Sequence, residues 1–188
     1  MQPPHKMYHL DQTPWVPLGE IERLGAAWMR ADLGASRCEA LLEIIAVTHH
    51  GIPPAIAGFL AGVLGKAWPE DYPAEMPGAE FRLGYPALAV MPSFLKRIAL
   101  LGRCRGAEAL RTTPEIFAAA VKYCVKGHRG VSDADGRPFG FQFAPGEHGV
   151  PVVAPKTLDR YQALGITWPL GSALIALLIS GMVEDAHV

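Results

Sequence analysis

The run from Ile166 to Val183 contains no charged side chain over 18 residues. A chain carrying such a run must either cover it with protein or place it in lipid. Trp168-Pro169-Leu170-Gly171 opens the run and shortens its usable helix to roughly three turns, where a hydrocarbon core asks for about 20 residues. Glu184-Asp185 at its far end offers no basic anchor. The expectation is a buried carboxy-terminal helix over Gly171 to Val183. Ile44 to Gly65 is also uncharged, but His49, His50, Gly51, Pro53 and Pro54 interrupt it, so it reads as two buried helices.

Helical spacing recurs along the chain. Leu18, Ile21, Leu24 and Trp28 form one stripe of a helix over Leu18 to Leu33, with Gly34 placed as a left-handed cap. Ser36 and Glu39 fit a capping box opening a helix from about Arg37 to His49. Pro53-Pro54 preset a third helix running to about Trp68, whose small residues Ala57, Gly58, Ala61, Gly62 and Gly65 ask for a close helix crossing. Pro92-Ser93 start a helix through "FLKRIALLGR". Thr113-Pro114-Glu115 start another, "EIFAAAVKYCVK", which Gly127 ends. Thr157 to Leu164 completes the helical set before the last run.

Other stretches lack that period. Residues 69–84 are acidic and proline-rich and read as a long loop, and Ala87 to Met91 as a short strand. Between Val131 and Pro155 the turn pair Asp135-Gly136, the alternating "FGFQF" and "VPVVAP" after His148-Gly149 predict a small antiparallel ribbon. The fold class is therefore mainly α, in the α+β sense: about seven helices with a small antiparallel β-ribbon near residues 131–155.

Composition sets the bounds on function. With 188 residues, half of them hydrophobic, the chain can bury a real core and reads as one domain, 1–188. Its 37 glycine and proline positions favour short elements joined by tight turns. Cys38, Cys104 and Cys124 give no disulfide framework, and "MQPPHKMYHLDQTPW" has no apolar run of the secretory kind, so a reducing cytoplasm is the expected compartment.

No Walker loop, dinucleotide fingerprint, nucleophile elbow or H-E-x-x-H occurs. Cys124 and His128, four apart, would share a face on a continuing helix as two metal ligands or a nucleophile and base could, but Gly127 between them argues against it. His49-His50 suit a helix C-terminus, where imidazolium meets carbonyl dipoles. Asp133 and Asp135 suit turn chemistry, lacking the later glutamate of a calcium loop. No catalytic residue, metal ligand or cofactor is assigned.

Charge distribution is more informative. The whole chain is near neutral, with 17 basic and 18 acidic side chains, so no global field draws a polyanion. Residues 96–129 nevertheless hold eight cations, Lys96, Arg97, Arg103, Arg105, Arg111, Lys122, Lys126 and Arg129, against Glu108 and Glu115, a net of plus six. On one continuous helix Lys122 and Lys126 would share a face.

Two destinations suit that charge: the chain's own Glu70, Asp71, Glu75 and Glu80, or an external anion. The sequence thus reads as a non-enzymatic binding protein, a subunit or accessory factor of a protein or nucleoprotein assembly. Its basic segment would meet an acidic protein surface or a nucleic-acid backbone, with no membrane partner favoured. One alternative is a small enzyme acting on an anionic substrate near Cys124 and His128. A second is a membrane-associated protein using the last helix.

Overall fold

A computed structural model describes residues 8–34, 36, 38–40, 54–65, 76, 78–101, 103–104 and 107–185. Six α-helices have defined bounds: α1 Leu18–Trp28, α2 Pro54–Val63, α3 Met91–Leu101, α4 Ala107–Cys124, α5 Pro155–Ala163 and α6 Thr167–Asp185. With the helical residues at 36 and 38–40, the described residues show seven helices. Five short strands, β1 Trp15–Pro17, β2 Glu80–Leu83, β3 Val125–Arg129, β4 Phe143–Pro145 and β5 Pro151–Val153, make up a three-stranded sheet and a two-stranded ribbon. The fold is mainly α with a small β part.

Helix α6 is the central element. It packs most extensively on α1 and α4 and also touches α2 and α5. Leu170, Ala173, Leu174 and Ile175 are fully buried, because the uncharged run is covered by protein on several sides. No single helix among the described residues is long and apolar enough to cross a membrane.

Close approach depends on two glycines. A Cβ on Gly25 of α1 would lie 2.8 Å from the Pro169 carbonyl oxygen, and one on Gly171 of α6 would lie 2.6 Å from Phe117 Cα on α4. Close helix contacts among the described residues therefore run α1 to α6 and α6 to α4. The stripe of small residues in α2 was the expected crossing. Helix α2 does pack on α1, and Arg30, in the π-helical turn Met29–Leu33 that follows α1, donates from Nε to the Val63 carbonyl at 2.9 Å. A guanidinium at a helix C-terminus meets the negative end of its dipole.

The three-stranded sheet has order β1-β2-β3, antiparallel throughout. Val16 pairs with Phe81 and Phe81 with His128, so these three form one cross-strand row, and the first two are fully buried. On the other face Glu80 stands opposite Arg129. Arg82 pairs with Gly127 but Leu83 with Val125, which makes Lys126 the extra residue of a bulge.

Several sequence expectations are corrected. Ala87–Met91 is not a strand: residues 88–90 turn into α3, which begins at Met91. Glu80–Leu83, expected within the loop, is the central strand β2, while 69–75 and 77 lie outside the described residues. Helix α4 begins at Ala107, with Pro114 inside it, and not at Thr113. Gly127 does not cap α4, which ends at Cys124; Gly127 is a β3 residue. Helix α2 ends near Gly65, whose φ is +73°, and α6 begins four residues before Gly171.

Helices α1, α3 and α5 match their patterns, and β4 pairs with β5 inside the span expected for a ribbon. Of the helix expected from about Arg37 to His49, residues 38–40 are helical and 41–49 lie outside the described residues; Ser36, expected as its cap, is already helical, and the Cys38 amide donates to the Gly34 carbonyl at 3.2 Å. Asp133 makes the expected turn: its carboxylate accepts the amides of Asp135 at 3.1 Å and Arg137 at 2.9 Å, with Gly136 at φ +76°. His49 and His50 lie outside the described residues.

Candidate functional site

Helices α3 and α4 form a hairpin, and the Phe94 and Tyr123 rings, 6.1 Å apart, place the start of α3 beside the end of α4. Phe94, Ile98 and Leu101, at i, i+4 and i+7, turn inward; Phe94 and Leu101 are buried. Lys96, Leu100 and Arg103 repeat the same spacing on the outside, with Arg97 beside them, and all four are exposed. Leu100 is 47% exposed, and Leu88, in the turn leading into α3, is 87% exposed. Among the described residues, Lys96, Arg97 and Arg103 take part in no ion pair.

The other cations of the segment have different surroundings. Arg111 lies on the outer stripe of α4 that runs Glu108, Arg111, Glu115, Ala118, Lys122, so two carboxylates flank it at helical spacing. Lys122 is half-buried, with Nζ 5.3 Å from the centre of the Tyr123 ring. Lys126 leaves the bulge to donate from Nζ to the Tyr123 carbonyl at 2.8 Å, a C-terminal cap for α4, and its burial lowers the pKa of its amine. Lys122 and Lys126 therefore do not share a helical face, because the chain changes from helix to strand between them. Arg129 pairs with Glu80 and lies 4.6 Å over the Trp15 ring. Arg105, Glu70, Asp71 and Glu75 lie outside the described residues.

Of the eight cations, Lys96, Arg97 and Arg103 thus form one open basic face. Arg129 is neutralised within the chain, as one of the two expected destinations required.

Cys124 and His128 are not brought together. Strand β3 separates them by four extended residues, roughly 10–13 Å. The Cys124 side chain is fully buried, and desolvation pushes its thiol up to about 12. A thiolate is the reactive form, so Cys124 is expected to resist a thiol-specific reagent at pH 8 in the native protein and to react once the chain is unfolded in denaturant. Reaction at the rate of a free thiol in the native state would contradict its placement. Cys38 and Cys104 are buried as well, and no cluster of three or more His, Cys, Asp or Glu side chains suited to a metal occurs among the described residues.

His128 instead sits among aromatic rings. Its Nε2 lies 2.7 Å from the Phe139 carbonyl oxygen and its Nδ1 2.5 Å from the Tyr161 hydroxyl. A carbonyl can only accept, so Nε2 carries the proton, and the neutral ring accepts the tyrosine O–H at Nδ1. Phe81, Phe139 and Phe141 meet the imidazole edge-on, with centroids 6.3, 4.9 and 5.6 Å away. Burial lowers the pKa of His128, partly offset by the Phe139 hydrogen bond, and raises that of Tyr161.

This cluster was not anticipated from sequence. Its signal was the alternation of Phe139, Phe141 and Phe143, which gives one face to a row of rings. No family model, curated protein or solved structure matches the chain, so the function is inferred from this geometry and the sequence.

Proposed function

We propose that the protein acts by binding, as a subunit or accessory factor of an assembly in the cytoplasm, and that the outer face of α3 meets an acidic protein surface. One observation carries this reading: Lys96, Arg97 and Arg103 are exposed and without ion pairs among the described residues, around an exposed Leu100 and beside Leu88. Unpaired cations favour an anionic partner. The leucines favour a partner with apolar side chains of its own, since burying them adds area-dependent affinity that a phosphate backbone cannot supply. The residues suggested for chemistry give the enzyme alternative no support: the Cys124 thiol is buried, and both ring nitrogens of His128 are engaged.

An acidic amphipathic peptide, glutamate-rich with leucines one turn apart, is expected to bind the wild-type protein in a salt-dependent manner. The triple change K96E/R97E/R103E should weaken that binding about tenfold, from three exposed pairs of about 0.5 kcal/mol each. The variant should also flatten the salt dependence and leave stability within about 0.5 kcal/mol. Arg111→Glu, placed between two carboxylates, should weaken it less. Equal affinity of wild type and triple variant, or tighter binding of random-sequence duplex DNA than of the peptide, would contradict this reading.

A further inference from the structure

The His128 cluster joins two parts of the chain distant in sequence. Strand β3 supplies the imidazole, residues 131–141 supply the Phe139 carbonyl and the Phe139 and Phe141 rings, and α5 supplies the fully buried Tyr161 hydroxyl. Among the described residues, few other hydrogen bonds hold residues 131–141 to the body. Within the segment lie the Ser132–Pro138 bridge and the Asp133 turn; at its base the Phe139 amide reaches the Val131 carbonyl at a long 3.4 Å.

We propose that His128 is a pH-sensitive latch, closed while the imidazole is neutral, whose protonation frees residues 131–141 from β3 and α5. The hydrogen-bond inventory requires this direction. A proton added at Nδ1 turns that atom from acceptor to donor, so the Tyr161 oxygen must accept and its own hydrogen must turn away. Tyr161 has 0% exposure, and His128 is its only side-chain hydrogen-bond partner among the described residues. The displaced O–H is left unsatisfied in the core.

Among the described residues no carboxylate offsets the new charge. The charged groups on the surrounding elements are Glu80 and Arg82 of β2, Lys126 and Arg129 of β3, Lys156, Asp159 and Arg160 of α5, and Asp133, Asp135 and Arg137 of the segment itself. Glu80 holds Arg129, Arg82 reaches the Thr13 hydroxyl, Lys126 caps α4, Arg160 lies over the Phe139 ring, and Asp133 holds backbone amides. Asp135 faces Arg137 across 3.8 Å, and among the described residues neither Asp159 nor any of the others hydrogen-bonds or pairs with the imidazole.

The sign follows from linkage. The closed form holds His128 below the ordinary value of 6.5, so the open form binds more protons. The latch is fully stable above that ordinary value and loses stability as pH falls below it, until the lowered pKa of the closed form is passed. At pH 5.5 the open form is favoured by up to about tenfold relative to neutral pH. Opening would bare Phe139 and Phe141 beside Phe143, which is already 51% exposed.

Amide exchange measured on the intact protein at pH 7.5 and 5.5, corrected for intrinsic rates, tests this directly. Protection of residues 131–141 is expected to fall several-fold at the lower pH while that of α6 holds. His128→Gln keeps one donor and one acceptor without a titrating proton, and it should abolish the difference. Unchanged protection at pH 5.5 in the wild type overturns the proposal, as does a pH effect that persists in His128→Gln. If that variant does not fold, a wild-type imidazole that titrates by NMR at its ordinary value, without moving the Tyr161 or Phe139 signals, overturns it equally. Titration below that value with coupled shifts supports it.

Discussion

Gly171→Val is expected to destabilise the protein by about 3 kcal/mol or more, measured as a lowered midpoint of urea unfolding with unchanged slope. Two effects oppose each other. Removing a glycine from a helix interior gains up to about 1 kcal/mol of intrinsic helix stability. Against this, even the first added carbon would lie 2.6 Å from Phe117 Cα, a backbone atom of α4 that cannot turn aside as a flexible side chain could. The α4–α6 pair must then separate, and Trp168, whose ring is 5.4 Å from that of Phe117, loses its packing with it. The clash wins. Gly25→Val should behave similarly, because its Cβ would meet the Pro169 carbonyl oxygen and Ser172 Oγ of α6. A valine at Gly19, around which there is open space, should cost far less.

Leu174→Ala is expected to cost about 2–5 kcal/mol, because the side chain is fully buried and its neighbours can only partly close the cavity. Leu177, half-buried on the same helix, should cost clearly less when shortened to alanine. The comparison reads the inward face of α6 by chemical denaturation. Equal losses at the two positions would mean that the helix is covered differently.

What could be read from the sequence follows from element length. Helices of 9 to 19 residues carry a repeated stripe, and a buried stripe leaves a pattern that single exceptions do not erase. Leu18, Ile21, Leu24 and Trp28 were enough to place α1, and the uncharged run placed α6. Strands of three to five residues leave too few alternations. β1 is a single buried Val16 between exposed neighbours, and its partner β2 lies more than 60 residues away, so neither could be paired from sequence.

Local signals also misled where tertiary contacts overrode them. Thr113-Pro114-Glu115 has the chemistry of a helix start, yet α4 extends one to two turns further toward Ala107, with Thr113 buried. Gly127 resembles a helix stop, but Lys126 supplies the cap and the chain is already extended. That change from helix to strand also divided the basic segment. Its cations looked continuous in the chain, whereas in space α3 presents three of them openly and the others lie along α4, within the sheet or outside the described residues.

The claim that the outer face of α3 is the contact surface is tested most directly by a photo-activated crosslinking residue at position 100, with position 147 on the exposed turn after β4 as the control. Illumination in the native cell, followed by mass spectrometry, is expected to give a covalent adduct from position 100 with a protein whose linked segment is acidic, and none at the same site of that protein from position 147. That adduct should disappear when Lys96, Arg97 and Arg103 are reversed to glutamate. No adduct from position 100, or the same adduct from both positions, would contradict the account.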